Sequence, residues 1–263
     1  AQNALKVNNR DLSKSIQQLS TGSRINSAGD DAAGMAIAST MTAQIRGLNQ
    51  AVRNANDGIS MLQTAEGSMS AQSNILQRMR ELAIQASTGT YSSTQRGYLQ
   101  TEFSALTTQI SNIASQTTWN GINILDGTGG SSGSFDIQVG TSSGQTITVT
   151  IANVTTSSSG LGVSGDISTA SGAITALSTI DTALDTLNDA RATIGAGINQ
   201  LTYAADNMTN TIQNYAASKS QIADTDYATA TSNMARAQII QQAATAMLAQ
   251  ANQSPQYVLA LLK

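Results

Sequence analysis

The sequence predicts a mainly α fold. A long antiparallel helical rod, packed like a coiled coil, is formed by the N- and C-terminal segments, with a small β-hairpin region in the middle. Three observations carry this. Between residues 177 and 215, alternating steps of three and four pass through Leu177, Ile180, Leu184, Leu187, Ile194, Ile198, Leu201, Ala205, Met208, Ile212 and Tyr215, broken only by Arg191. A 3.5-residue period held this long marks a coiled-coil helix rather than a merely amphipathic one. A matching run, Ile45, Leu48, Val52, Ala55, Ile59, Leu62, Met69, Leu76 and Ala83, is interrupted by Glu66, Ser73 and Arg80 and supplies a partner. Between the two, over residues 126–172, the composition turns to Gly, Ser and Thr, and the pieces "FDIQVG" and "TITVTIANV" alternate apolar with polar.

Each element follows in order. Leu5, Leu12, Ile16 and Leu19 form a short apolar stripe before "STGSR" and predict a first helix. A second, long helix spans about residues 31–85. Its start signal is "NSAGDD", with Ser27 and Asp30 spaced as a capping box and acids in the first turn. Its stop is the turn-rich "STGTYSS" around Gly89. Leu99, Phe103, Leu106, Ile110 and Ile113 mark a shorter third helix that ends before "TTWNGINIL". In the middle, Phe135, Ile137 and Val139 share one strand face, and Ile147, Val149 and Ile151 share the matching one, joined through "TSSG". The following "TTSSSGLGVSGDIST" reads as loop. The helix over 177–215 extends roughly 58 Å at ~1.5 Å per residue and needs helices alongside it. A last helix presents Met234, Ala237, Ile240, Ala244, Met247 and Ala251 on one face and pauses at Pro255. The order is nested, so the two ends should lie side by side. This divides the chain into a terminal domain (1–25 and 226–263), a helical rod core (26–125 and 173–225) and a short outer region (126–172).

Composition narrows the chemistry. The chain has 263 residues, 40% of them hydrophobic but only 3% aromatic, so Ala, Leu, Ile and Met must do the packing. Its one proline, Pro255, leaves long helices uninterrupted. With no cysteine and no histidine, disulfides, thiolate or imidazole metal sites and Ser-His-Asp triads are excluded. No catalytic residue, metal or cofactor is expected. Asp30 and Asp31 read as helix capping rather than as a metal pair. The net charge is −3 with no basic stripe, so nucleic acid is a poor partner. No run approaches the ~18–20 apolar residues of a membrane span, and the first residues lack the apolar core of a secretory signal.

Six stretches carry a resemblance. "RINSAGDDAAGMAIA" (24–38), "NANDGISMLQTAEG" (54–67), "LQRMRELAIQ" (76–85), "TTWNGINIL" (117–125), "DTDYATATSNMARAQII" (224–240) and "MLAQANQSPQYVLALLK" (247–263) resemble bacterial flagellin, in the right order and over both flanks. The Gly/Ser/Thr middle matches only through "FDIQVG". Members of that family usually begin some way upstream, which implies a trimmed start here, and they carry larger middle regions. The resemblance implies a non-enzymatic subunit of the flagellar filament that polymerises with other copies of itself. It implies export through the flagellar type III apparatus to an extracellular place, and an export chaperone on the C-terminal segment. It also implies contacts with filament cap and hook-junction proteins. The rival reading is a cell-surface homologue that binds polysaccharide or a host surface through the polar middle, with Trp119 as the single indole platform.

The candidate sites follow from these readings. Leu5, Leu12, Ile16, Leu19, Met234, Ile240, Met247, Leu248, Val258, Leu259, Leu261 and Leu262 are expected to drive polymerisation. Terminal helices have little else in their own chain to cover them. Fully burying the six from Met247 onward gives at most about 9–18 kcal/mol. By resemblance, Arg78, Leu82 and Glu102 match positions contacted by toll-like receptor five of animal hosts. Gln77, Arg80 and Glu81 join them as receptor or subunit-interface candidates. The (i, i+4) spacing sets Arg78 and Leu82 on one side of the helix.

Overall fold

A computed structural model describes residues 2–260, with side chains through residue 251. The elements run α1 (Gln2–Thr21), α2 (Ala32–Ser87), α3 (Ser93–Gln116), β1 (Thr118–Trp119), β2 (Ile122–Asn123), β3 (Ser134–Gln138), β4 (Thr146–Thr150), α4 (Ala170–Ala223) and α5 (Tyr227–Ala260). The fold is thus mainly helical with small antiparallel hairpins between α3 and α4. The chain forms two compact units, one of residues 1–46 with 211–263 and one of residues 47–210. The long helices α2 and α4 each contribute to both.

In the unit of residues 47–210, the buried face of α2 steps through Leu48, Ala51, Ala55, Gly58, Leu62, Ala65, Met69, Gln72, Leu76, Met79, Ala83 and Ala86. The face of α4 steps through Ala173, Ala176, Ile180, Ala183, Leu187, Ala190, Ile194, Gly197 and Leu201. The 3.5-residue period is as expected, but half of the positions are corrected by one residue. Leu177, Leu184 and Ile198 flank the seam half-buried, and Ala176, Ala183 and Gly197 occupy it. At two of these positions the neighbours come from the segments between the helices: Gly197 faces Val149 of β4, and Ala176 lies against Gly165, so a small residue takes the inward position and the larger one flanks it.

Three of the four residues that interrupted the pattern are accounted for by the same shift, while Ser73 stays buried beside the seam. Arg191 donates to Glu66 at 2.7 Å, and Arg80 to Asp181 at 2.7 Å. Both are bridges between α2 and α4, and their order shows that the two helices run antiparallel. Gln72 is wholly buried, and its side-chain amide donates to the carbonyls of Ile110 (3.0 Å) and Val154 (3.2 Å). It thereby ties α2 to α3 and to the chain after β4. Phe103, Ile110, Ile124, Leu125, Ile151 and Ile167 complete this core.

The expected β3–β4 hairpin forms, and its register sets Phe135 opposite Val149 and Ile137 opposite Ile147. Its inner face rests where the two long helices carry glycine. A Cβ on Gly58 would run into Ile137, and one on Gly197 would stand 3.0 Å from Val149. A second, smaller hairpin joins β1 to β2 through Asn120 (φ 49°) and Gly121 (φ 79°). These are the left-handed conformations that an Asn-Gly turn supplies. At the start of α3, Ser92 and Gln95 form a reciprocal capping box.

In the other unit, α1 packs on α5, the helix pair of closest backbone approach. The buried or half-buried face of α1 is Leu5, Asn8, Leu12, Ser15 and Leu19. That of α5 is Ala230, Met234, Ala237, Gln241, Ala244 and Leu248. Small and polar residues again fill alternate positions, and Asn8 donates to the Ala237 carbonyl at 2.8 Å. At the base of the pair the two turn-rich stretches join. Arg24 N–H donates to the Ala223 carbonyl at 2.7 Å, and Thr225 N–H donates to that of Gly22 at 2.9 Å. The Arg24 guanidinium reaches the Ile222 carbonyl.

Two start signals are corrected. Asp31, not Ser27, caps α2: its carboxylate accepts from Gly34 N–H at 2.8 Å. Asp30 and Asp31 precede the first turn instead of lying in it. Asp30 closes the preceding turn by accepting from Asn26 and Ser27. At the far end α5 runs through Pro255 to Ala260, where a pause was expected. One proline removes a single donor.

Candidate assembly and receptor surfaces

Pairing of α1 with α5 divides the expected polymerisation residues into two groups. Leu5, Leu12, Leu19, Met234 and Leu248 lie half-buried in the seam between the helices. Ile16, Ile240 and Met247 do not: they are 49%, 46% and 69% exposed. Val7 and Ile239, which the sequence stripe passed over, are also open. The seam takes Gln241 and Leu248 on α5 where Ile240 and Met247 were expected, because the step falls one residue later. The apolar side chains left over sit outside the contact that their own chain makes. The side chains of Val258 and Leu259, and Leu261 and Leu262 altogether, lie outside the described residues.

The receptor candidates also separate. Arg78 on α2 reaches Glu102 on α3 at 3.0 Å and Glu81, one turn on, at 3.0 Å. Both carboxylates raise its already high pKa, Glu102 more than Glu81. With Gln77 beside them, these residues form one exposed polar cluster across the two helices. Arg80 is turned toward α4, where Asp181 holds it. Leu82 is corrected as a surface residue: it is 1% exposed and packs into the core. A four-residue step rotates ~40° past a full turn, enough to carry Leu82 from the edge of the face into the seam.

Sequence reasoning missed the polar members of the buried faces, Gln72, Asn8 and Ser15, because apolar periodicity cannot register them. It also passed over the β1–β2 turn, for which the Asn120-Gly121 pair was an available signal. Among the described residues no group of acidic side chains is arranged to hold a metal ion, and no helix is long and apolar enough to cross a membrane.

The fold defines a class: helical proteins whose N- and C-terminal segments pair across a chain broken only by small hairpins. Residues 1–129 match the bacterial flagellin N-terminal helical region, and residues 177–262 match the bacterial flagellin C-terminal helical region. This chain belongs to the bacterial flagellin family. It is 41% identical over 251 residues to a flagellin of Halalkalibacterium halodurans, covering 95% of this chain and 91% of that one. It is 39% identical to the flagellar filament 33 kDa core protein of Treponema phagedenis, over 100% of this chain and 96% of the other. Among solved structures, Bacillus cereus flagellin superposes with a TM-score of 0.54 at 34% identity, over 64% of this chain and 94% of that one.

Proposed function

We propose that this chain is a structural subunit that polymerises with other copies of itself into the bacterial flagellar filament, outside the cell, and serves motility without catalysis. The observation that carries the reading is the apolar surface left open by the α1–α5 pair, Ile16, Ile239, Ile240 and Met247. Full burial of such a side chain is worth about 1.5–3 kcal/mol; these are already partly covered, so each gains roughly half to two-thirds of that, and part of the sum offsets the cost of association. In this reading residues 1–25 and 226–263 line the filament interior, residues 26–125 and 173–225 form the surrounding core, and residues 126–172 face solvent. The C-terminal segment is the ground for an export chaperone before assembly, and the growing end meets cap and hook-junction proteins. The test is seeded growth of the purified chain, followed by electron microscopy. Long filaments are expected, and Ile240→Ser with Met247→Ser should slow growth while helix content stays. A wild-type chain that remains monomeric on seeds sinks the reading.

The exposed Arg78, Glu81 and Glu102 cluster supports recognition of the free subunit by toll-like receptor five. Leu82 then contributes by packing α2 rather than by contact. Arg78→Ala together with Glu102→Ala should reduce receptor signalling by soluble chain at least tenfold; unchanged signalling rejects this partner.

A further inference from the structure

Two helix rows in this chain match one another in charge and spacing. Lys6, Arg10 and Lys14 recur every four residues on α1, and Asp181, Asp185 and Asp189 recur every four residues on α4. Rows of three at this spacing occur once for each sign, the basic one being a short exception to the general lack of a basic stripe. On a helix each four-residue step rises ~6 Å, so the rows have equal pitch and can meet charge for charge. One end of each is already neutralised within its own unit: Lys14 by Asp30 at 2.8 Å, and Asp181 by Arg80 at 2.7 Å. Lys6 and Arg10, and likewise Asp185 and Asp189, are exposed and make no ion pair among the described residues. The basic row also borders a groove of about 600 Å³ along α1, with Leu5 and Asn9 in its wall.

The two units are charged oppositely. Residues 1–46 with 211–263 hold eight of the 13 Lys and Arg but five of the 16 Asp and Glu. Residues 47–210 hold the other five basic residues and the remaining 11 acids.

We infer that a second copy of this chain docks with its Asp181–Asp185–Asp189 face of α4 on the Lys6–Arg10–Lys14 face of α1. The inference rests on the polymer reading above and names one of its contacts. The two faces are different surfaces, so the contact is heterologous, and each copy offers both halves. Such a contact repeats without closing unless its rotation forms a ring. Matched rows also set register, since a slip by one step leaves one charge on each row unpaired. Single exposed ion pairs contribute little. The rows act together, and every subunit inside a polymer makes the contact once through each face.

The test measures the critical concentration for seeded assembly by sedimentation, with circular dichroism to confirm folding. Four chains are compared: wild type, Lys6→Glu with Arg10→Glu, Asp185→Lys with Asp189→Lys, and the combined swap of all four. Each double reversal replaces attraction with repulsion and should raise the critical concentration roughly tenfold or more at low salt. The combined swap should return it to within about threefold of wild type, because the rows again carry opposite charge. Added salt should shrink the gap between wild type and the double reversals, since the screening length falls to ~8 Å at physiological ionic strength. Wild type that polymerises while the combined swap behaves no better than the double reversals overturns this contact and leaves the polymer reading intact. Double reversals that assemble like wild type overturn it too. Wild type that never polymerises removes the polymer reading and the contact together.

Discussion

Asp30 shows how much one side chain can fasten. It accepts from Lys14 on α1 and from the Asn26 and Ser27 amides and the Ser27 hydroxyl in the turn before α2. Lys14 first, and then these donors, hold its pKa at about 2, against an ordinary 3.8. A depressed folded pKa contributes stability that is complete above the unfolded value and lost as pH falls through the folded one. The tie between α1 and the turn should therefore hold above about pH 4 and loosen between about pH 4 and pH 2. Protection of the Asn26 and Ser27 amides, taken as exchange relative to the intrinsic rate at each pH, should fall across that window in wild type. In Asp30→Asn protection should already be low at neutral pH and nearly flat through the window; a wild-type-like loss of protection in acid in that variant would reject the assignment. Asp126 is lowered as well: burial pushes it up, but hydrogen bonds from Thr128 and Asn123 together outweigh this; Asp226 is lowered by hydrogen bonds from Thr229 and Ala228. Such short-range fastenings were half legible. The Asp30 position stood out in "NSAGDD", but Lys14 lies sixteen residues earlier in a different helix, and no local spacing connects them.

Among the elements, the β3–β4 hairpin depends on two glycines, one in each long helix. Glycine in a helix interior costs ~1 kcal/mol relative to alanine, so Gly58 and Gly197 are retained against propensity. Gly58→Ala gains that propensity but forces Ile137 to move, and overpacking costs about 1–3 kcal/mol. Gly197→Ala meets Val149 at a milder 3.0 Å and should come out close to neutral. Urea denaturation of both variants checks this: Gly58→Ala should be the less stable, and equal midpoints would reject the account. The same two positions show what the sequence made legible about the elements. Helix number, approximate bounds, the hairpin with its apolar faces and the 3.5-residue period were all readable, because each rests on apolar residues at regular steps. The phase of the seam was not. Ala176, Ala183 and Gly197 give weak apolar signals beside Leu177, Leu184 and Ile198, so the eye follows the larger residues. Where the hairpin and the loop before α4 press on that helix, at Val149 and Gly165, steric room favours the small residue. The same shift by one residue separates Ile240 and Met247, which are open, from Gln241 and Leu248, which are covered.

For the whole chain, the proposed polymer has to cover the apolar side chains that the α1–α5 pair leaves open. The last ten residues carry Val258, Leu259, Leu261 and Leu262 and no acid. Deleting residues 254–263 should leave the unit of residues 47–210 folded, with its thermal transition unchanged, and should abolish growth on seeds. Filaments formed by the truncated chain would show that the tail is dispensable. One more consequence follows from the joined ends. The Asn8 amide bonds to a carbonyl 229 residues away, and the Arg24 side chain to one 198 residues away. Contacts of such long sequence separation form late, because loop closure must precede them. A chain emerging N-terminus first, from a ribosome or any narrow conduit, cannot make the Asn8 bond until Ala237 is out. Pairing of the two ends is thus a length check built into the fold: only a chain delivered nearly whole can close it, and a fragment is left with α1 uncovered.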